Sequence, residues 1–319
     1  MRSSTRGMKQ TVAAVALGTL ALVATACSSN SSTSTTTTSV PVATTTTTQP
    51  ALPTAVIPTQ VANTTIAASV PAAVHSAGTL TVALDATYPP NEFVGPDGKT
   101  IVGMDADLSN AIAQTMGLKA QLSNATFDTI IPGIVAGKYG MGASSFTDNL
   151  VRQKVVTFVD YFSAGESFYV KSGGTVLNGL ASLCGHSVAV ESGTTEETHA
   201  KAQSVKCGAG GKPKANVLTF STQSQANLAV SSGRADAGYA DSPVAAYIVA
   251  TSNGVFMNSG APFNLSPYGL ALPKSNGMAA PVQAAVNALI ANGVYTQILT
   301  KWGVLAGAIP TATINGATS

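Results

Sequence analysis

With 319 residues, 45% of them apolar, the chain has room for two domains and a sizeable core. Only 9% of residues are charged and the net charge is +2, so there is no basic field for a nucleic acid. Part of that low charge comes from the N-terminal segment. Arg2, Arg6 and Lys9 form a basic start, and Thr11 to Val23 is an apolar run too short to span a bilayer comfortably. Ala24-Thr25-Ala26 then precedes Cys27, which makes residues 1–26 an export signal peptide. Two cleavages fit: an ordinary Ala-x-Ala site, or a lipobox that leaves Cys27 to be lipidated. A cysteine directly after small residues, followed by Ser-Ser-Asn, favours the lipoprotein, held on the outer face of the cell membrane.

From Ser28 to about Pro71 there is no charged residue, only Ser, Thr, Pro, Ala and a few others. Such a stretch cannot bury enough surface to offset its ordering entropy, so residues 27–75 are expected to form a disordered tether. The folded body opens with strand-like Leu80–Leu84, a proline-stiffened turn from Asp85 to Pro90, and a hairpin around Pro96-Asp97-Gly98. Helical spacing follows over Asp105–Met116, stopped by Gly117, and again over Phe127–Ala136. A second unit starts at Val188-Ala189-Val190. Its Glu191-Ser192-Gly193-Thr194-Thr195-Glu196-Glu197 is a helix N-terminus with acidic residues in the first turn. Val217–Phe220, a helix over Ser224–Ser231, and Ala237–Ala240 ending in Asp241 continue the alternation. Tyr268–Leu272 re-enters the first unit, closed by a long helix Ala279–Val294 and the segment Tyr295–Trp302. Alternation of this kind predicts an α/β sheet with crossover connections. Trp302 shares an apolar stripe with Ile298 and Leu299 and is read as packing.

One stretch carries candidate chemistry. In Ser144-Ser145-Phe146-Thr147-Asp148-Asn149-Leu150-Val151-Arg152, an extended backbone would point the hydroxyls of Ser145 and Thr147 to one side. Arg152 lies just beyond. Two hydroxyls and a guanidinium converging on one point suit a carboxylate, which arginine grips with two parallel bonds. Read alone, the stretch is more simply a capped loop with Arg152 in a surface ion pair. Cys184 and Cys207, an even pair in an exported protein, are expected to form a disulfide. His75, His186 and His199 are scattered, so neither a metal nor a cofactor is expected, and His199 reads as an exposed helix residue. Gly211-Lys212 is followed by Pro213, so no phosphate-binding loop exists and any ATPase must be a separate chain.

Taken together, certain residues from about Gly78 to Val304 resemble the family 3 extracellular solute-binding proteins of ABC importers for polar amino acids. They are Tyr88-Pro89-Pro90-Asn91-Glu92-Phe93, Gly103-Met104-Asp105-Ala106-Asp107-Leu108, Ile131-Pro132-Gly133, Gly137-Lys138-Tyr139, Arg152, Gly193-Thr194-Thr195, Asp236 to Asp241 and Lys301-Trp302-Gly303. The resemblance implies an α/β, two-lobed periplasmic-binding-protein fold (type II, Venus-flytrap) with two hinge strands. It places the first lobe at 76–170 and 268–306, the second at 171–267, a C-terminal tail at 307–319, and the hinges near Phe168–Ser172 and Leu265–Gly269. It further implies that Ser145, Thr147 and Arg152 hold an α-carboxylate, with Thr194 and Thr195 adding donors from the other lobe. Asp241 matches the acceptor of the α-ammonium, although it could instead cap the helix that Ser242-Pro243 begins. Tyr88 and Phe127 match the walls around the ligand side chain, and Asp85 and Glu191 face that side chain in relatives. Two carboxylates there suit a basic or amide side chain. Asn91, Gly140 and Asn149-Leu150-Val151 depart from the family pattern, and the first is expected to alter packing under the site.

The implied function is a monomeric lipoprotein receptor that captures a polar amino acid by lobe closure and delivers it to a permease. An enzyme on the same fold, such as a prephenate or arogenate dehydratase with Glu191 as its general acid, is one alternative. A sensory surface lipoprotein without transport is the other.

Overall fold

The computed structural model of the protein describes residues 51–318. The export signal, Cys27 and the tether up to residue 50 lie outside the described residues. Where they begin, the expected tether is replaced by an ordered arm. Its two short helices are α1 (Thr64–Ser69) and α2 (Ala72–Ala77). The Asn63 side chain caps α1 by accepting from the Thr65 and Ile66 N–H groups at 3.1 and 3.2 Å. Ile66 and Val70 are buried in the core of the first lobe, with Leu52 and Ile57 packed beside them. The Gln60 N–H donates to Gln114 Oε1 at 2.8 Å. A few apolar anchors and one cap therefore hold residues that composition alone consigns to disorder.

The first lobe runs through β1 (Thr79–Leu84), a small antiparallel sheet of β2 (Thr87–Tyr88), β3 (Glu92–Val94) and β4 (Ile101–Val102), then α3 (Met104–Thr115). It continues with β5 (Lys119–Asn124), α4 (Phe127–Val135) and β6 (Met141–Gly142), and both β5 and β6 lie parallel to β1. Gly103 precedes α3 with φ +132°, and a Cβ there would stand 2.2 Å from the Asn91 carbonyl oxygen, so the approach requires glycine. The chain then crosses on β7 (Val156–Lys171), a long strand rich in β-branched and aromatic residues.

The second lobe comprises β8 (Ser187–Glu191), α5 (Thr195–Ala209), β9 (Asn216–Phe220), α6 (Gln223–Ser231), β10 (Ala237–Asp241) and α7 (Ser242–Thr251). Cys184 and Cys207 are bonded here, with Cα atoms 5.5 Å apart, fastening the end of α5 to the turn before β8. The return crossing is β11 (Phe256–Pro273), antiparallel to β7. After it come α8 (Ala279–Ala291), which stops short of the expected Val294, and α9 (Val294–Lys301), with Gly293 at φ +80° between them. Trp302 does pack, meeting Phe93 edge to face at 5.7 Å while its indole N–H donates to Asp107 at 2.7 Å. The C-terminal tail is held to the sheet: β12 (Thr313–Ile314) pairs with β7, and the Gly316 N–H donates to Asp160 at 2.8 Å.

One mixed sheet, ordered β5-β1-β6-β11-β7-β10-β8-β9, thus spans both lobes, with β11 and β7 as the two connecting strands. Residues Glu166–Val170 of β7 pair with β10 and so belong to the second lobe. The first crossing consequently lies near Ser163–Gly165, several residues before the expected Phe168–Ser172. The partner strand breaks register between Ser259 and Ser266 and again at Tyr268/Gly269.

Candidate functional site

The carboxyl ends of β1, β6, β8 and β10 meet in the cleft between the lobes, which is where α/β sheets present binding residues. All ten residues singled out from the sequence as ligand contacts line one cavity there. Glu92, Ser144 and Glu196 line it as well and were not singled out.

Arg152 follows a turn capped by Asn149, whose Oδ1 accepts the Arg152 N–H at 2.9 Å. Its guanidinium stands 5.4 and 5.5 Å from the ring centres of Phe127 and Phe146, which stack on each other. It donates to the Thr147 carbonyl at 2.8 Å and, across the cleft, to the Gly193 carbonyl at 3.0 Å. Arg152 is therefore a half-buried, aimed cation rather than a surface partner. Thr147 meets Thr195 of the opposite lobe, hydroxyl to hydroxyl, at 3.2 Å.

Ser145 does not continue the extended backbone that would align it with Thr147. Its φ is +49°, its N–H donates to Asp105 Oδ2 at 2.8 Å and its hydroxyl to the same oxygen at 3.0 Å. The hydroxyl also accepts from the Asn91 amide at 2.8 Å. The departure at Asn91 thereby acquires a physical role, fixing Ser145 from beneath. Glu92 and Asp105 lie side by side in this layer, fully buried. Burial raises both carboxyls, and the Asp105 charge raises Glu92 further. Tyr161 donates to Asp105 at 2.6 Å.

In the second lobe the Thr194 hydroxyl accepts from the Glu197 N–H at 3.1 Å and donates to the Glu191 carbonyl at 2.8 Å, so it caps α5. Thr195 and Glu196, in the first turn, present the positive end of that helix to the cavity. The Asp241 side chain makes no cap to α7. Instead it accepts the Tyr88 hydroxyl at 2.9 Å, while the Asp241 N–H donates back to that oxygen at 3.0 Å. Burial pushes the Asp241 carboxyl up to about 7, against the hydroxyls of Tyr88 and Tyr268.

Asp85 accepts from Thr87 at 2.7 Å and from the Phe127 N–H, at the start of α4, at 2.9 Å. Glu191 faces it from the other lobe within hydrogen-bond reach; burial first, then the Asp85 charge, raises the Glu191 carboxyl well above the usual range. Glu196 is raised likewise, by burial and then by Asp241 and Glu166. His199, read as an exposed helix residue, is half-exposed and paired with Glu166 on β7 at 2.8 Å.

Glu196 escaped sequence reading because adjacent Glu196 and Glu197 look equivalent. A signal existed in Thr194-x-x-Glu197, a capping pattern that commits Glu197 to the helix start. Indeed Glu197 accepts the Gly193 N–H at 2.8 Å.

Residues 80–304 match the family model described as bacterial extracellular solute-binding proteins, family 3. An arginine-binding protein of Corynebacterium glutamicum is 35% identical over 251 residues, covering 78% of this chain and 82% of that relative. A glutamine-binding protein of an ABC transporter in Bacillus subtilis is 30% identical over 212 residues, 65% of this chain and 74% of its own. Among solved structures, an ancestral arginine-binding protein bound to arginine aligns with TM-score 0.66 and 35% identity. That alignment covers 70% of this chain and 98% of the other.

Proposed function

Because the chain belongs to the family 3 bacterial extracellular solute-binding proteins, we propose that it is the receptor of an ABC importer for an amino acid with a cationic side chain, arginine foremost. The observation that carries this choice is charge: Asp85, Glu92, Glu191, Glu196 and Asp241 line the cavity against the single guanidinium of Arg152. Arg152, Thr147 and the start of α5 take the α-carboxylate, and Asp241 takes the α-ammonium. Asp85 and Glu191 hold the side-chain cation, whose stem lies along Tyr88 and Phe127. An amide side chain would leave these two acids facing each other without a counter-charge, which favours arginine, lysine or ornithine over glutamine.

Capture closes the lobes. Arg152 to Gly193, Thr147 to Thr195, and Ser192 to Asp128 at 3.1 Å are bonds from one lobe to the other, and they support a closed receptor. The closed receptor then delivers its cargo to a permease served by a separate ATPase chain, from a monomer tethered outside the membrane through lipidated Cys27. Calorimetry against arginine, lysine, ornithine, glutamine and glutamate tests the reading. Arginine is expected to bind at least tenfold tighter than glutamine, and preference for glutamate would overturn it.

The raised Glu191 carboxyl also offers a general acid, which keeps a dehydratase of prephenate or arogenate as the second reading. Turnover of either compound would promote it. Asp241 and Arg152, placed to receive the two ends of an amino acid, support the receptor.

A further inference from the structure

Two carboxyl pairs line the cavity. Asp85 and Glu191 stand within hydrogen-bond reach across the cleft, and Asp241 and Glu196 do so within the second lobe. Glu191 and Glu196 are each only 2% exposed, and Oε1 of each lacks a hydrogen-bond partner among the described residues. Buried polar atoms are seldom left so, and both line the cavity, where a donor brought by the cargo could reach them.

The surroundings offer little else to neutralise them. Asp241 and Glu196 face Arg152 from the first lobe, the hydroxyls of Tyr88 and Tyr268, and Glu166 with its partner His199. Asp85 and Glu191 face Glu92, Asp128, Thr87 and the N-terminal end of α4. Two carboxylates side by side in a site shielded from water cannot both ionise freely, so each pair shares a proton.

We propose that capture of a doubly cationic amino acid drives protons off these pairs, with Glu196 joining Asp241 at the α-ammonium and Glu191 joining Asp85 at the side-chain cation. The inference rests on the receptor reading and deepens it by naming Glu196 as a cargo-contacting residue and by linking capture to proton release. In the step, the O–H bond of the shared carboxylic acid breaks and its electron pair stays on the carboxylate. The proton passes to a buffer base, and the cargo cation takes its place between the oxygens. Since a nearby cation favours the ionised form, the linkage can only weaken capture as the medium turns acid.

Calorimetric titration of arginine into the full folded protein, at pH 6.5 in buffers of differing ionisation enthalpy, counts the protons exchanged. Release of about half a proton or more per arginine is expected, with affinity rising roughly tenfold from pH 5.5 to 7.5. Tight binding with no proton exchange and a flat pH profile would overturn the proposal while leaving the receptor intact. Absence of binding by any basic amino acid would instead remove the receptor reading. Glu196→Gln and Glu191→Gln keep the shape and hydrogen-bonding capacity of each side chain and are each expected to bind arginine with reduced release. If both released as many protons as the unaltered protein, these pairs would not be the source.

Discussion

Arg152 shows how much one side chain depends on its setting. Lysine at that position would keep the charge but lose both the fork that reaches two carbonyls and the stacking on Phe127 and Phe146. Arg152→Ala is expected to weaken arginine binding at least tenfold in calorimetry with the fold intact, and Arg152→Lys should recover only a part. Asp241→Ala should cost as much, since it removes the acceptor that Tyr88 orients. Unchanged affinity in both alanine variants would mean that the cargo lies elsewhere.

The elements supply this geometry through their ends. Thr194 and Glu197 fasten the start of α5, so its first turn faces the cleft at a fixed angle. The arm before β1 is held more lightly. Asn63 caps α1 and Ile66 enters the core, so Asn63→Ala should destabilise the protein by about 1 kcal/mol and Ile66→Ala by about 2 kcal/mol. Urea midpoints would measure both. Equal midpoints for the two variants and the parent would return the arm to the tether. At the rim, Asp128→Ala removes the bond to Ser192 while every lining side chain is kept. A modest loss of affinity, with unaltered preference among amino acids, is expected from it in the same calorimetric panel.

For the molecule as a whole, closure and acidity are linked. Burial raises Asp160 to about 6 and Asp241 to about 7 from an ordinary 3.8. A carboxyl raised on folding binds more protons in the native state. Its contribution to stability is full below about pH 4 and is lost as pH rises through 6 to 7. Without arginine, the melting temperature is therefore expected to fall between pH 5 and pH 8. Arginine should restore more of it at pH 8 than at pH 5, because the ionised acids then meet a cation. A melting temperature that rises over this range without arginine would contradict the buried-acid account. Small-angle scattering should show the radius of gyration shrinking when arginine is added.

Alternating strands and helices, the glycine stops and the even cysteine pair were legible along the chain, because periodicity, backbone freedom and redox setting are local properties. The places of Arg152, Asp241, Asp85 and Glu191 at one cavity were legible as well, through residues whose order resembles one family. What lay beyond reach depended on neighbours distant in the chain. Ser145 turns away from an extended path because Asp105 and Asn91, some forty and fifty positions earlier, claim its N–H and hydroxyl. Glu196 faces the cavity while Glu197 faces its own helix start, a choice fixed by three-dimensional packing and invisible in two identical letters. The amino-acid order settled the alternation of strands and helices from β1 onward and which sign of charge gathers. Packing alone decided which hydroxyls stay free, where the chain crosses between lobes, and which carboxyls are buried next to one another, since each of these turns on what is buried beside what.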